Sequence, residues 1–292
     1  MKQRRFHNSN ITVSQVSLGS MRLHEKLTIE EAEKLVNNAW HLGIDTFHSS
    51  FEYESHGFFC EVLRRLKHKD KSFQPKHIVK LAVPHFEEMA FSKARFRQLI
   101  EQQLQALNTG RIEVVQWLLR HKLNTDEYRL PMLQDCTAEL SEVVGELKRE
   151  GKIGIFTGFA YSQGFAREFI DMSVCEGLTD YLNLQELDRI SLFELMEDKK
   201  QNFLAIRPLN AGGILGLHED KKNRVMEALG TNNIIEAASL FPLLHPVVKT
   251  EIISVGSLEH LQEIVRVTSN TSANKSRFAN TVEVLHGQQL VS

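Results

Sequence analysis

Residues 112–158 read IEVVQWLLRHKLNTDEYRLPMLQDCTAELSEVVGELKREGKIGIFTG. The run at 112–119 is nearly continuous in apolar side chains (Val114, Val115, Trp117, Leu118, Leu119), as expected of a strand covered on both faces. Residues 137–149 carry apolar side chains at spacings of three and four, the pattern of an amphipathic helix. A second apolar run follows at 152–158. Strand, helix and strand in that order form a crossover unit with parallel strands.

The alternation continues in both directions. Upstream, strands are predicted at 15–18, 44–47 and 77–83. Between them a helix runs from Thr28, with Glu31 as its capping-box partner, to Gly43, and others lie around 58–66 and over 92–107. Downstream, strands at 181–185, 203–208 and 251–255 alternate with helices at 162–174, near 192–196, between 223 and 243, and at 258–267. Eight strand–helix pairs on 292 residues, with no linker or composition break, predict one domain over 1–292. The predicted fold class is α/β, a parallel (β/α)8 TIM barrel. An open doubly wound sheet is the alternative, but no G-x-G-x-x-G follows an early strand. After residue 270 the polar stretch TSNTSANKS predicts a looser tail.

Composition narrows the function classes. Hydrophobic residues make up 42% and charged residues 25%, ordinary for a globular chain. Lys and Arg number 35 against 37 Asp and Glu, a net charge of −2, so no basic excess points to a nucleic-acid partner. No run approaches the ~18 apolar residues of a membrane span. The first ten residues have charge but no apolar stretch behind them, unlike a secretory signal. Three scattered cysteines (Cys60, Cys136, Cys175) read as reduced thiols. These features together predict a cytoplasmic protein that takes a small-molecule ligand, with a protein partner as a further option.

In a parallel barrel the site is built where strands end. That directs attention to 19–21, 45–53, 82–85, 118–121, 158–161, 185–188, 207–213 and 254–257. His48, His85 and His121 all follow predicted strands, but no H-x-H or paired-carboxylate spacing accompanies them. They read as solvated loop histidines, and no metal site is predicted.

Six segments in order give the chain a family resemblance over about 11–268. VSLGSMRL, AWHLGIDT, FRQLIEQQLQALNTGRIEVVQ, ELKREGKIGIFTGF, IRPLNAGGILG and VGSLEHLQEI together resemble the aldo-keto reductases. The resemblance implies a barrel of that type, and reduction of a small carbonyl or sugar-like substrate by hydride from NAD(P)H, without a metal. It also implies a catalytic aspartate, tyrosine, lysine and histidine: the tyrosine protonates the carbonyl oxygen, and a lysine paired with the aspartate lowers its pKa.

Carried onto this chain, the aspartate is Asp45 in IDT. Five residues on, the tyrosine position holds Ser50, and the nearest tyrosine is Tyr53. The lysine and histidine positions hold Val83 and Leu118. Lys80 lies at an odd offset from Val83 and is expected to face away from the mouth. Candidate catalytic residues are therefore Asp45, Tyr53, Arg120 and His121. Candidate cofactor-binding residues are Gln185, Arg207, Gly256 and Ser257. Phe159-Ala160 and Ile206 replace the family's carboxamide-binding pair and stacking aromatic. No cation lies between 254 and 262, so any dinucleotide preference is not expected to be for a 2′-phosphate. Two function classes stay open: a reductase with a rebuilt proton donor, and a barrel that has lost the chemistry and serves as a binding or regulatory subunit, with a different reaction in the same cavity as a third.

Overall fold

A computed structural model describes residues 1–123 and 125–287. A short antiparallel hairpin, β1 (Gln3–Arg5) and β2 (Thr12–Ser14), precedes eight barrel strands. These are β3 (Val16–Gly19), β4 (Thr46–Ser50), β5 (Lys76–Ala82), β6 (Ile112–Leu118), β7 (Ile153–Gly158), β8 (Gly177–Tyr181), β9 (Asn202–Ile206) and β10 (Val248–Ile253). Each pairs in parallel with its neighbour, and β10 returns to β3 to close the barrel. The fold is the parallel (β/α)8 barrel that the alternation predicts.

Strand pleating sorts side chains into two cores. Ile78, Val114, Ile155, Leu204 and Ile252 fill the barrel interior and pack with Phe6 and Val13 of the hairpin. Val79, Val115, Phe156, Phe203 and Ile253 belong to the larger core between barrel and helices. The hairpin thus closes the end of the barrel where strands begin. Arg4 holds it there, donating to the carbonyls of Val248 and Leu243 at 2.7 Å each.

Several boundaries differ from the sequence expectation, each for a physical reason. The strand expected at 44–47 is Thr46–Ser50, because the polar side chains of His48 and Ser50 are buried rather than looped out. The strand expected at 181–185 ends at Tyr181. Asn183 turns the chain there, its Oδ1 accepting from the amides of Gln185 and Glu186. The strand expected at 251–255 begins at Val248, its start disguised by Lys249, Thr250 and Glu251, all buried. The helix expected at 137–149 begins at Asp126 and tolerates Pro131 near its start. The looser tail after 270 is corrected. Asn274 caps a twelve-residue helix, Lys275–His286. Its Phe278 stacks on Phe241 at 4.9 Å. The polar stretch is a cap, not a loose end.

Among the described residues no helix is long and apolar enough to cross a membrane. Cys60, Cys136 and Cys175 are free thiols.

Candidate active site at the barrel mouth

The interior residues of β5 and β6 are set by the core just described. Since Ile78 and Val114 point inward, so do Lys80 and Ala82 on β5, and Gln116 and Leu118 on β6. Val83 instead belongs to the outer core, and its carbonyl accepts from the Trp117 indole N–H at 2.8 Å. The expected orientations of Lys80 and Val83 are therefore reversed, while Leu118 faces the interior as expected. Val83 shares the outward parity of Val79 and Leu81, so a count from it inverts the face of Lys80.

Asp45 also moves. It precedes β4, so it lies at the opposite end of the barrel from the mouth. Its Oδ2 pairs with Lys76 Nζ at 2.7 Å, and its Oδ1 accepts from the Ser14 amide of the hairpin at 3.2 Å. Asp45 fastens the hairpin to the sheet. It is no part of a site at the mouth.

The carboxylate at the mouth is Glu52, in the loop after β4. Its Oε2 lies 2.8 Å from Lys80 Nζ and 3.0 Å from Arg120 Nη1. Its Oε1 lies 3.4 Å from His85 Nε2. Glu52 is only 9% exposed, so these partners act with little solvent screening. The Lys80 ammonium stands 4.6 Å from the centre of the Tyr53 ring. Burial and, more weakly, Arg120 lower the Lys80 pKa, while Glu52 opposes them. Burial and the Glu52 charge raise the Tyr53 pKa, Arg120 and Arg207 opposing, so its phenol stays protonated at neutral pH. Tyr53, Lys80 and Glu52 form a half-buried phenol–ammonium–carboxylate series.

His48 sits beneath this series. Its ring centre is 6.0 Å from that of Tyr53, and its Nε2–H donates to Gln116 Oε1 at 2.9 Å. Full burial, with Lys80 nearby, pushes its pKa down to about 4, so the imidazole is neutral. It is a barrel residue rather than the solvated loop histidine expected. It also lies five residues before Tyr53, the spacing that the family resemblance implies between aspartate and tyrosine. Counting back from Tyr53, rather than forward from Asp45, would have found it.

Aromatic and basic side chains form the far wall. Phe159 meets the ring of Tyr161 edge-on at 5.0 Å and that of Tyr181 at 5.3 Å. The Arg129 guanidinium lies 3.6 Å from the centre of the Tyr161 ring. Burial pushes the Tyr161 pKa up to about 12 against the pull of Arg120 and Arg129. Arg207, with a left-handed φ of 54°, places its guanidinium 4.8 Å from the centre of the Tyr181 ring. Asp180 anchors this wall: buried beside Arg189 Nε at 2.6 Å, it has a pKa raised to about 6 by desolvation. Arg120 thus joins the site. His121 does not meet Tyr53 or Glu52; its Nδ1 accepts from the Leu123 amide at 3.2 Å.

The expected cofactor-binding residues occupy the neighbouring arc. Gln185 Oε1 accepts from Asn210 Nδ2 at 2.8 Å. Gly212, with a φ of 93° and no atom within 4 Å of where a Cβ would stand, leaves room beside them. Gly256 and Ser257 lead into the helix Leu258–Thr268, and Ser257 Oγ caps it by accepting from the His260 amide at 3.3 Å. Amide donors and Arg207 suit a dinucleotide's phosphates. Phe159 offers no polar group to a carboxamide, and Ala160 is buried with its carbonyl bound to Arg189. In the helix's first turn the Glu259 carboxylate is held ionised by its own amide and by Ser257, an unfavourable neighbour for a 2′-phosphate. Among the described residues no cluster of three or more His, Cys, Asp or Glu could hold a metal ion.

Barrel and mouth together define a fold of the aldo-keto reductase type. An aldo-keto reductase from Bacillus halodurans, AKR11C1, superposes in its holo form with a TM-score of 0.76 at 17% identity, covering 97% of this chain and 96% of that one. Its apo form gives 0.72 at 18% identity over the same shares. The protein PA4992 from Pseudomonas aeruginosa gives 0.68 at 20% identity, covering 91% of this chain and 94% of its own. No protein-family model and no curated protein sequence matches the chain. At these identities the likeness is one of fold.

Proposed function

We propose that the protein is an oxidoreductase of the aldo-keto reductase type that reduces a small carbonyl compound, with Tyr53 as proton donor. The observation that carries this reading is the half-buried Tyr53–Lys80–Glu52 series at the end of the barrel where such sites form. A carbonyl oxygen that gains negative charge needs an acid beside it and a cation to stabilise that charge. Tyr53 supplies the proton, and Lys80 supplies the cation. Glu52 keeps Lys80 charged despite burial, because an unpaired ammonium there would tend to lose its proton. Lys80 and Glu52 stand in for the lysine–aspartate pair of the family resemblance, with the carboxylate drawn from the following loop.

A nicotinamide dinucleotide would supply the hydride. Gln185, Gly256 and Ser257 are the residues that would hold it, and Glu259 favours the form without a 2′-phosphate. The competing reading, a barrel without reductase chemistry, draws on the apolar Ala82 and Leu118 at the inner ends of β5 and β6.

Nicotinamide absorbance with an aromatic aldehyde, followed for the parent protein and for Tyr53→Phe, separates the two. Oxidation of NADH that is lost in Tyr53→Phe supports the reductase. A protein that neither oxidises NADH or NADPH nor shows a thermal shift with either supports the binding barrel. A ligand at 100 times its Kd raises stability by about 2.7 kcal/mol, so binding would not escape notice.

A further inference from the structure

The basic groups at the mouth exceed what Tyr53 chemistry requires. Lys80 and Arg120 share one carboxylate, Glu52. Arg207 has no ion pair among the described residues, although its guanidinium is exposed and its backbone is held in the left-handed region. Of the nearby carboxylates, Asp180 is paired with Arg189, while Glu186 accepts from the neutral Asn183 Nδ2 at 2.5 Å and its charge opposes that of Arg207 at Tyr181, where Arg207 acts the more strongly. Arg120 comes from the loop after β6 and Arg207 from the loop after β9. Both favour ionisation of the Tyr53 and Tyr181 hydroxyls, so their fields overlap where a substrate would lie. Arg120 is 5.4 Å from the centre of the Phe86 ring, and Arg207 stacks on Tyr181, so both guanidiniums are braced by aromatic faces.

We infer that Arg120 and Arg207 form a seat for a carboxylate on the substrate itself, which makes the preferred substrate an anionic carbonyl compound rather than a neutral aldehyde or sugar. A planar guanidinium suits a carboxylate, and a seat shared by two loops would fix the carbonyl relative to Tyr53. The inference rests on the reductase reading for its carbonyl. The anion seat is measured by binding alone, so the two can fail separately. Phosphates of a dinucleotide present similar chemistry to Arg207, and the test must distinguish them.

The probes are 4-carboxybenzaldehyde and its neutral methyl ester, titrated calorimetrically into the free protein, with NADH titrated in parallel. The expected result is that the acid binds about tenfold or more tightly than the ester, and that Arg207→Gln and Arg120→Gln each erase most of that preference. Arg207→Lys should restore part of it, since charge returns without the planar fork. Equal affinity for acid and ester overturns the inference, as does a preference that survives both substitutions. Loss of NADH affinity alone in Arg207→Gln, with the preference for the acid intact, assigns that arginine to the dinucleotide and also overturns it. Binding of the acid without oxidation of NADH leaves the seat standing and removes the reductase.

Discussion

Lys76 and Lys80 stand on the same face of β5, about 13 Å apart along the strand, and each holds a carboxylate from a different end of β4. Lys76 pairs with Asp45 at the closed end, and Lys80 pairs with Glu52 at the mouth. Two similar pairs therefore serve different ends of the molecule: one secures the hairpin, and the other lies at the mouth. The first prediction follows from that separation. Asp45→Asn should leave aldehyde reduction unchanged and lower stability by about 1 kcal/mol or less, because the pair is partly exposed and the amide can still accept from Ser14. Steady-state rates and urea midpoints check both halves.

Changes at the mouth should do the reverse. Tyr53→Phe is expected to lower kcat for carbonyl reduction by about 10²–10⁴-fold, the range for loss of a positioned acid. Folding should survive, since the aromatic ring and its contact with Lys80 remain. Glu52→Gln should also slow the reaction, and it should move the pH profile, because Lys80 loses the charge that keeps it protonated. A rate profile identical to that of the parent would remove Glu52 from the proposed series.

The barrel was legible from its alternating apolar runs, because helices and strands bury their faces with different periods. Most of the mouth was not. Sequence spacing placed Asp45 in the site, since IDT resembles a strand end, but β4 extends through the polar residues HSS, where Ser50 pairs with Lys80 of β5. Tyr53, Arg120, Gln185 and Arg207 follow strands, and the sequence places them at the mouth for that reason. Glu52 was missed because a loop glutamate has no signature until the strands beside it are placed. Lys80 was misdirected by one residue of parity, which on a strand reverses the face.

Acid should destabilise the fold before it reaches ordinary carboxylate pKa values. His48, His77 and His245 have pKa values lowered by burial to about 4, 3 and 4. The unfolded chain protonates its histidines near pH 6.5, while the folded one resists until far lower. Stability is therefore complete above pH 6.5 and falls as pH drops toward 4. The fully buried His48 alone should account for about 2 kcal/mol at pH 5. Asp180, with its pKa raised to about 6, and Glu251, raised well above the usual carboxylate range by burial, work in the opposite direction and offset part of the loss. Urea midpoints at pH 7 and pH 5 should differ in the parent, and differ less in His48→Asn.

Three glycines should respond differently to an added methyl group. A Cβ at Gly177 would stand 2.0 Å from the Asn202 carbonyl oxygen, its registered neighbour on β9, and one at Gly154 would stand 2.5 Å from the Glu113 carbonyl oxygen. Both are backbone contacts that cannot swing aside, so each Ala variant should lose about 3 kcal/mol or more. Gly57, in the helix His56–Lys69, has no atom within 4 Å of that position. Gly57→Ala, in the first turn, should gain about 0.5 kcal/mol or less by helix propensity. Thermal melts of the three variants would rank these effects directly.

The hairpin that seals one end has a kinetic consequence. With Phe6 and Val13 wedged among Ile78, Val114, Ile155, Leu204 and Ile252, the molecule is a cup rather than a tube. Whatever the mouth admits must leave by the same door, past Arg120, Arg207 and the aromatic wall. Arrivals and departures are then forced to take turns. A compound lodged in the doorway would slow the exit of a bound ligand as well as the approach of the next.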